Sequence, residues 1–338
     1  MNARRLASRL ALAAGLAVAL AAPALAVRRT EDPLALVPGD AATVAVIHWN
    51  ELRSSPFGAE VLDRMDGVST DGDGSRFLRE TGLSPREDID TIVLATSKRA
   101  GSSDDALVLF DGRFDVARIA SALQSRGATL QRSTTGDYYR LPADHGDHSG
   151  AVALVNPRLV IAGSESAVVA ALGRRESGGS GGLMSGQGLG NQLSRVDKDA
   201  SAWALVDLTR YPVTQSRELH VDVRVEGKDE PSRAIVGAMK SMSLLALQAK
   251  VHGDAIDVAA TGLSSDAENR QLLQDSLRGL LAMWRLAVQE KSPQMVSVIR
   301  GFRVDSDADG VSIRGTLPGS VLRSLAAHRQ GKREARTD

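Results

Sequence analysis

The apolar positions of this chain follow one order twice. Near the start, DAATVAVIHWNELRSSP runs from Asp-Ala through an alternating stretch to a polar step, and DASAWALVDLTRYP near residue 200 does the same. Alternation with period two predicts a strand. Two further strands follow in each half: IDTIVLATS and DALVLFDGRFD, then SMSLLALQAKV and AIDVAATGLSSD. The period then changes to that of a helix. DVARIASALQSRG offers Asp115 as N-cap, Val116, Ile119 and Leu123 at helical spacing, and Gly127 as the stop. Its counterpart opens with a capping box over Ser265, Asp266, Ala267 and Glu268 and carries Leu273, Leu277, Leu281, Trp284 and Val288 on one stripe. A hairpin closes each half, ATLQRSTTGDYYRLP in the first and IRGFRVDSDADGVSIRGTLP in the second.

This self-similarity predicts an α+β fold of two similar domains from an internal duplication, each a mostly antiparallel sheet with helices packed on one face. The domains are expected at residues 27–175 and 199–328. Residues 176–198, rich in Gly and Ser, read as a linker or long loop, and 329–338 as a charged tail. Within an insertion at 213–237, Leu219, Val221, Val223 and Val225 alternate with polar residues and predict a half-exposed strand belonging to the second half alone. Gly178 to Gly182 match the G-x-S-x-G of serine hydrolases, but that elbow needs a buried strand before it and a helix after it. Neither is legible in the flanking residues.

The first residues say where the protein resides. Arg4, Arg5 and Arg9 precede an Ala/Leu-rich run from Leu10 to Ala22, and Ala24-Leu25-Ala26 supplies small residues for a peptidase. Residues 1–26 therefore read as a signal peptide cleaved near Ala26, giving a periplasmic or secreted protein. The run is shorter than the roughly 20 residues a spanning helix needs, so no transmembrane segment is expected in the mature chain. Cysteine is absent, which removes disulfides, thiolate metal sites, thiol nucleophiles and a lipidated Cys together. Acidic and basic residues balance at 41 each and aromatics make up 3%, so neither a basic field nor a stacking platform points to nucleic acid.

Candidate chemistry is sparse. Asp305, Asp307 and Asp309 precede Gly310 as in the opening of a calcium loop, yet the twelfth position is Thr316 rather than Glu, and the ninth is Ile313. The flanking FRV and VSI alternate as strands, so the carboxylates read as a turn. Asp144, His145, Asp147 and His148 are all metal-ligand types, but four of them on one loop seldom converge on an ion unaided. They are the weak metal candidates. His48-Trp49-Asn50 reads as a strand end, since Asp207, Leu208 and Thr209 hold the matching repeat positions. Met283 and Trp284, among leucines on a helical stripe, are expected in the core. No catalytic residues and no cofactor are expected.

Four segments, GLSPREDIDTIVLA, FDGRFDVARIASAL, AVALVNPRLVIAGSESAVVAAL and ASAWALVDL, resemble a type of uncharacterised bacterial secreted protein classed as a domain of unknown function. The shared motifs are structural: Pro85 before an Asp-rich strand entry, Gly112 to Asp115 between strand and helix, Gly163 and Ser164 before a helix. The resemblance covers most of the mature chain and implies a duplicated α+β architecture and an extracytoplasmic location, without catalytic residues. The expected function is a non-catalytic extracytoplasmic binding or structural protein whose partner is an envelope protein. The alternative is a carrier of a small apolar ligand such as a lipid, and a third reading is a metal-dependent hydrolase using residues 144–148.

Overall fold

A computed structural model of the chain describes residues 32–55, 58, 73–98, 105–142, 149–211, 242–289, 293–321 and 323. The described residues from Pro33 onward belong to one compact unit. Its first half contributes β1 (Thr43–His48), β2 (Ile89–Ser97), β3 (Asp105–Gly112), β4 (Thr129–Gln131), β5 (Tyr138–Arg140), β6 (Gly150–Asn156) and β7 (Leu159–Ser164). The second contributes β8 (Ala202–Asp207), β9 (Leu244–His252), β10 (Ala255–Leu263), β11 (Arg303–Ser306) and β12 (Gly310–Pro318). The helices are α1 (Trp49–Ser54), α2 (Asp73–Thr81), α3 (Pro85–Asp88), α4 (Val116–Ser125), α5 (Glu165–Glu176), α6 (Ala267–Gln289) and α7 (Pro293–Gly301).

All twelve described strands lie in one antiparallel sheet, in the order β11-β12-β10-β9-β8-β1-β2-β3-β7-β6-β5-β4. Two separate sheets were expected; the structure joins them by pairing β1 with β8, so that Thr43 faces Val206 and Ile47 faces Ala202. The composition of these strands explains the junction. TVAVI and AWALV are apolar on both faces, and an exposed edge of that character invites aggregation. Each strand supplies the other's missing neighbour. The outer edges are short and polar instead, with β4 three residues long and β11 carrying exposed Arg303 and Asp305.

Antiparallel partners share a face, so the register sorts the strands' side chains into two layers. On the first face Val44, Val93, Leu109, Ile161, Trp203 and Leu205 are buried with Val168, Ala171 and Leu172 of α5. Residues 176–198, read as a linker or long loop, also cover this face. Short 3-10 turns at Leu183–Ser185 and Gly188–Arg195 bury Leu183, Leu189 and Leu193 in the same core, and Pro38 bridges to Gly182. Glycines bend the chain tightly enough for widely spaced leucines to reach one core. Ser180 follows helix α5 here, which is not the strand-to-helix setting of a nucleophile elbow.

Helices occupy the second face as well, contrary to the expected one-sided packing. At one end Ile92, Phe110, Val152, Leu154 and Val160 pack with Ile119 and Leu123 of α4, Phe77 of α2 and Trp49 of α1. Toward the other end Leu273, Leu277 and Leu281 of α6 pack with Val304, Val311 and Ile313. Trp284 was expected to continue that stripe into the core, but it is 44% exposed and Leu286 is 71% exposed. Within this core cluster the stripe ends at Leu281. The N-cap of α6 is Asp266, one residue beyond Ser265, and its carboxylate accepts the Glu268 amide at 2.9 Å and the Asn269 amide at 3.3 Å. The α4 cap is Asp115, which accepts the Arg118 amide. The signal peptide, the 213–237 insertion with its expected strand, and the 329–338 tail lie outside the described residues.

Candidate functional site

Asp305, Asp307 and Asp309 sit at the β11–β12 hairpin, each with its own partner. Asp307 Oδ1 accepts the amides of Asp309 and Gly310, both at 2.9 Å, and these bonds hold its carboxyl below the usual carboxylate range. Asp309 pairs with Arg195 at 2.9 Å, and Asp305 lies 3.6 Å from Arg314. The hairpin thus uses its carboxylates as turn and ion-pair acceptors.

Asp144, His145, Asp147 and His148 lie outside the described residues. They belong to the β5–β6 connection, whose flanks meet where the Leu141 amide donates to the Gly150 carbonyl at 2.8 Å. Beside those flanks stands Glu165, the first residue of α5. Its Oε1 accepts Tyr138 Oη at 2.7 Å and Arg140 Nε at 2.8 Å, and its Oε2 accepts Ser149 Oγ at 2.6 Å. Arg140 is the main cause of a carboxyl pKa lowered to about 2, with Ser149 and Tyr138 adding to it against the opposing effect of burial. A carboxylate so fully donated to is a structural acceptor, not a poised base.

A second ionic cluster, which the sequence did not single out, gathers Arg53, Arg113 and Arg158 around Asp90 and Asp111. Arg53 donates to the carbonyls of Arg86, Glu87 and Ile89 at the end of α3 and to Asp90 Oδ1 at 2.7 Å. Arg158 reaches Asp90 and Asp111, each at 3.2 Å. Burial raises the Asp111 carboxyl, opposed by Arg158. These groups satisfy one another and clamp α1 and α3 to the sheet.

The surface least explained by stability is apolar. On the second face one row of cross-strand neighbours reads Val108, Leu94, Ala45, Ala204, Leu247, Ala260, Ile313, and the helix-covered part of it begins at Ile313, which packs with α6. The next row reads Phe110, Ile92, Ile47, Ala202, Ala249, Val258, of which Phe110 and Ile92 lie within the helix-covered end and the remainder continues toward the middle. At about 4.8 Å per strand the first row spans roughly 29 Å. Leu94 is 38% exposed and Leu247 37%, while the small Ala45 and Ala204 lie between them on the paired β1 and β8. Two leucine ridges therefore flank an alanine-floored trough about 14 Å wide, close to the diameter of a helix with its side chains. Its rim is polar: Tyr211 Oη lies 2.7 Å from Thr43 Oγ1 and 3.0 Å from Thr96 Oγ1, with Lys98 Nζ 4.7 Å from the Tyr211 ring centroid. His48 ends β1 as expected and its Nε2 lies 3.0 Å from the Lys198 carbonyl oxygen, while Trp49 enters the core. The trough was hidden in the sequence because each strand shows only an alternation. Its signal is the unusually apolar second phase of the two first strands.

No family model matches the sequence, and no curated protein does. Among solved structures the fold is similar to crystal form III of TP0453, with a TM-score of 0.50 at 11% identity over 89% of this chain and 100% of that one. Crystal form I of TP0453 aligns with a TM-score of 0.45 at 10% identity, covering 89% of this chain and 98% of that one. At this identity the likeness is one of fold: an α+β chain with a large antiparallel sheet and several helices.

Proposed function

We propose that this chain is a non-catalytic extracytoplasmic binding protein and that the trough over the β1–β8 seam is its binding surface. The carrying observation is the apolar row from Val108 to Ile313, with two leucines more than one-third exposed at its centre. An exposed apolar strip rimmed by polar residues is a candidate interaction surface. Two rows spaced by about 6.6 Å along the strands and roughly 29 Å across them give about 190 Å² of sheet, less what the flanking helices cover. The occupant is an apolar segment of an envelope partner. The carrier reading uses the same surface with a small apolar ligand lying in the trough.

The internal duplication belongs to the same proposal. Strands β1, β2 and β3 and strands β8, β9 and β10 run outward from the seam in the same order, and the last strand of each half, β7 or β12, returns beside the third. Both first strands end in a short helical segment, α1 and a 3-10 turn at Leu208–Arg210. By position the partner of the Asp-rich hairpin is then β6–β7, with β4–β5 an additional edge pair, which revises the alignment suggested by turn residues. Leu-Ala-Ala-Leu across β2, β1, β8 and β9 has the symmetry that duplication would leave. The signal-like N-terminus supports the extracytoplasmic location; among the described residues no helix is long and apolar enough to cross a membrane.

Native mass spectrometry of protein purified from its own periplasm tests the function. The parent should carry an additional mass, a protein or an apolar small molecule, and the Leu94→Asp/Leu247→Asp variant should lose it. A bare parent, or a variant that keeps the same mass, would contradict the proposal.

A further inference from the structure

The opposite face of the sheet turns polar beyond the core and forms a cavity of about 550 Å³, a common size for a small-molecule site. Its floor follows from the register. Arg303 of β11 faces Arg314 of β12, Arg314 faces Ala259 of β10, and Ala259 faces Gln248 of β9. One step along, Thr316 faces Asp257 and Asp257 faces Lys250. The methyl group of Ala259 leaves a hollow that longer side chains surround.

The charges around it are unevenly satisfied. Lys250 pairs with Asp197 at 3.1 Å, and Asp257 accepts Thr316 Oγ1 at 2.6 Å with His252 Nδ1 at 3.4 Å. Among the described residues Arg314 has only Asp305 at 3.6 Å and Ser312 Oγ at 3.3 Å. The Arg303 side chain has no hydrogen-bond or ion-pair partner among the described residues. Like charges directly opposite on neighbouring strands are destabilising, and Asp305 compensates Arg314 alone, which leaves the Arg303 guanidinium open to an anionic ligand. Two guanidinium forks supply the planar donor array that suits phosphate. Across the hollow, the Asp257 carboxylate and Gln248 suit ligand hydroxyls.

We infer that this cavity binds a small organic phosphate, with Arg303 and Arg314 on the phosphate and Asp257 on a hydroxyl of the ligand. The site lies on the face opposite the apolar trough and does not depend on the function proposed for it. Isothermal titration of the full chain with glycerol 1-phosphate at low ionic strength tests the assignment. Saturable binding is expected, weakening as salt is added. Arg303→Gln should lower affinity by about tenfold, the factor for loss of one charge-assisted contact, and Arg303→Lys by less. Arg285→Gln on α6 should leave affinity unchanged. No saturable binding at millimolar ester, equal binding of glycerol, or full affinity in Arg303→Gln would each overturn the inference; circular dichroism of the variants verifies folding.

Discussion

Replacing Glu165 by Gln removes a charge from the best-donated carboxylate in the described structure while preserving its size. In the folded chain Glu165 has a pKa of about 2 against an ordinary 4.5. At 1.36 kcal/mol per unit, that difference caps its ionisation-linked contribution at roughly 3 kcal/mol. Its side chain is 20% exposed and that of Arg140 45%, so water screens the pair. A contribution of about 1–2 kcal/mol is the defensible figure. Because folding depresses the pKa, this stability is fully present above pH 4.5 and fades as pH falls toward 2. Urea denaturation of Glu165→Gln should therefore show a deficit of about 1–2 kcal/mol at pH 7 that shrinks steadily below pH 4.5. A deficit independent of pH, or none at pH 7, would refute the reasoning.

Asp307→Ala should cost about 1–2 kcal/mol by leaving the Asp309 and Gly310 amides without their acceptor, measured by calorimetry. Asp307→Asn should cost less because it retains an oxygen; a gain from relieved repulsion is not expected, since Arg195 and Arg314 already face the neighbouring carboxylates. Gly163→Ala should destabilise by more than about 3 kcal/mol, because φ is 156° and a Cβ would stand 2.1 Å from the Ala106 carbonyl oxygen; a thermal melt suffices to check it. Leu205→Ala, at a fully buried seam position, should cost about 2–5 kcal/mol and lower hydrogen-exchange protection in β2 and β9 together. Protection lost in β9 alone would mean that the halves unfold separately.

Local order was readable where alternation and capping agree. IDTIVLATS is β2 without a residue's difference, and the helix after Asp115 carries its cap and its Gly127 stop as the pattern indicates. What pattern could not carry is pairing between distant strands. Nothing local tells β1 that its second neighbour is β8 rather than solvent, although Ala45 and Ile47 on its other phase are a hint that both faces are covered or used. At residues 176–198 Gly and Ser suggested a linker or long loop, and composition gave no sign that Leu183, Leu189 and Leu193 within it reach the core. Periodicity misled at Trp284, because a stripe predicts a preferred face without fixing how far the sheet extends beneath it. The trough and the arginine pair were out of reach for one reason: both exist only across strands.

Site-specific photocrosslinking in cells tests the central claim most directly. Benzoylphenylalanine placed at Leu94 and at Leu247 should each yield the same adduct, and the residue placed at Glu176, exposed at the end of α5 on the opposite face, should not. No adduct at either leucine, or the same adduct at Glu176, would contradict a binding surface over the β1–β8 seam.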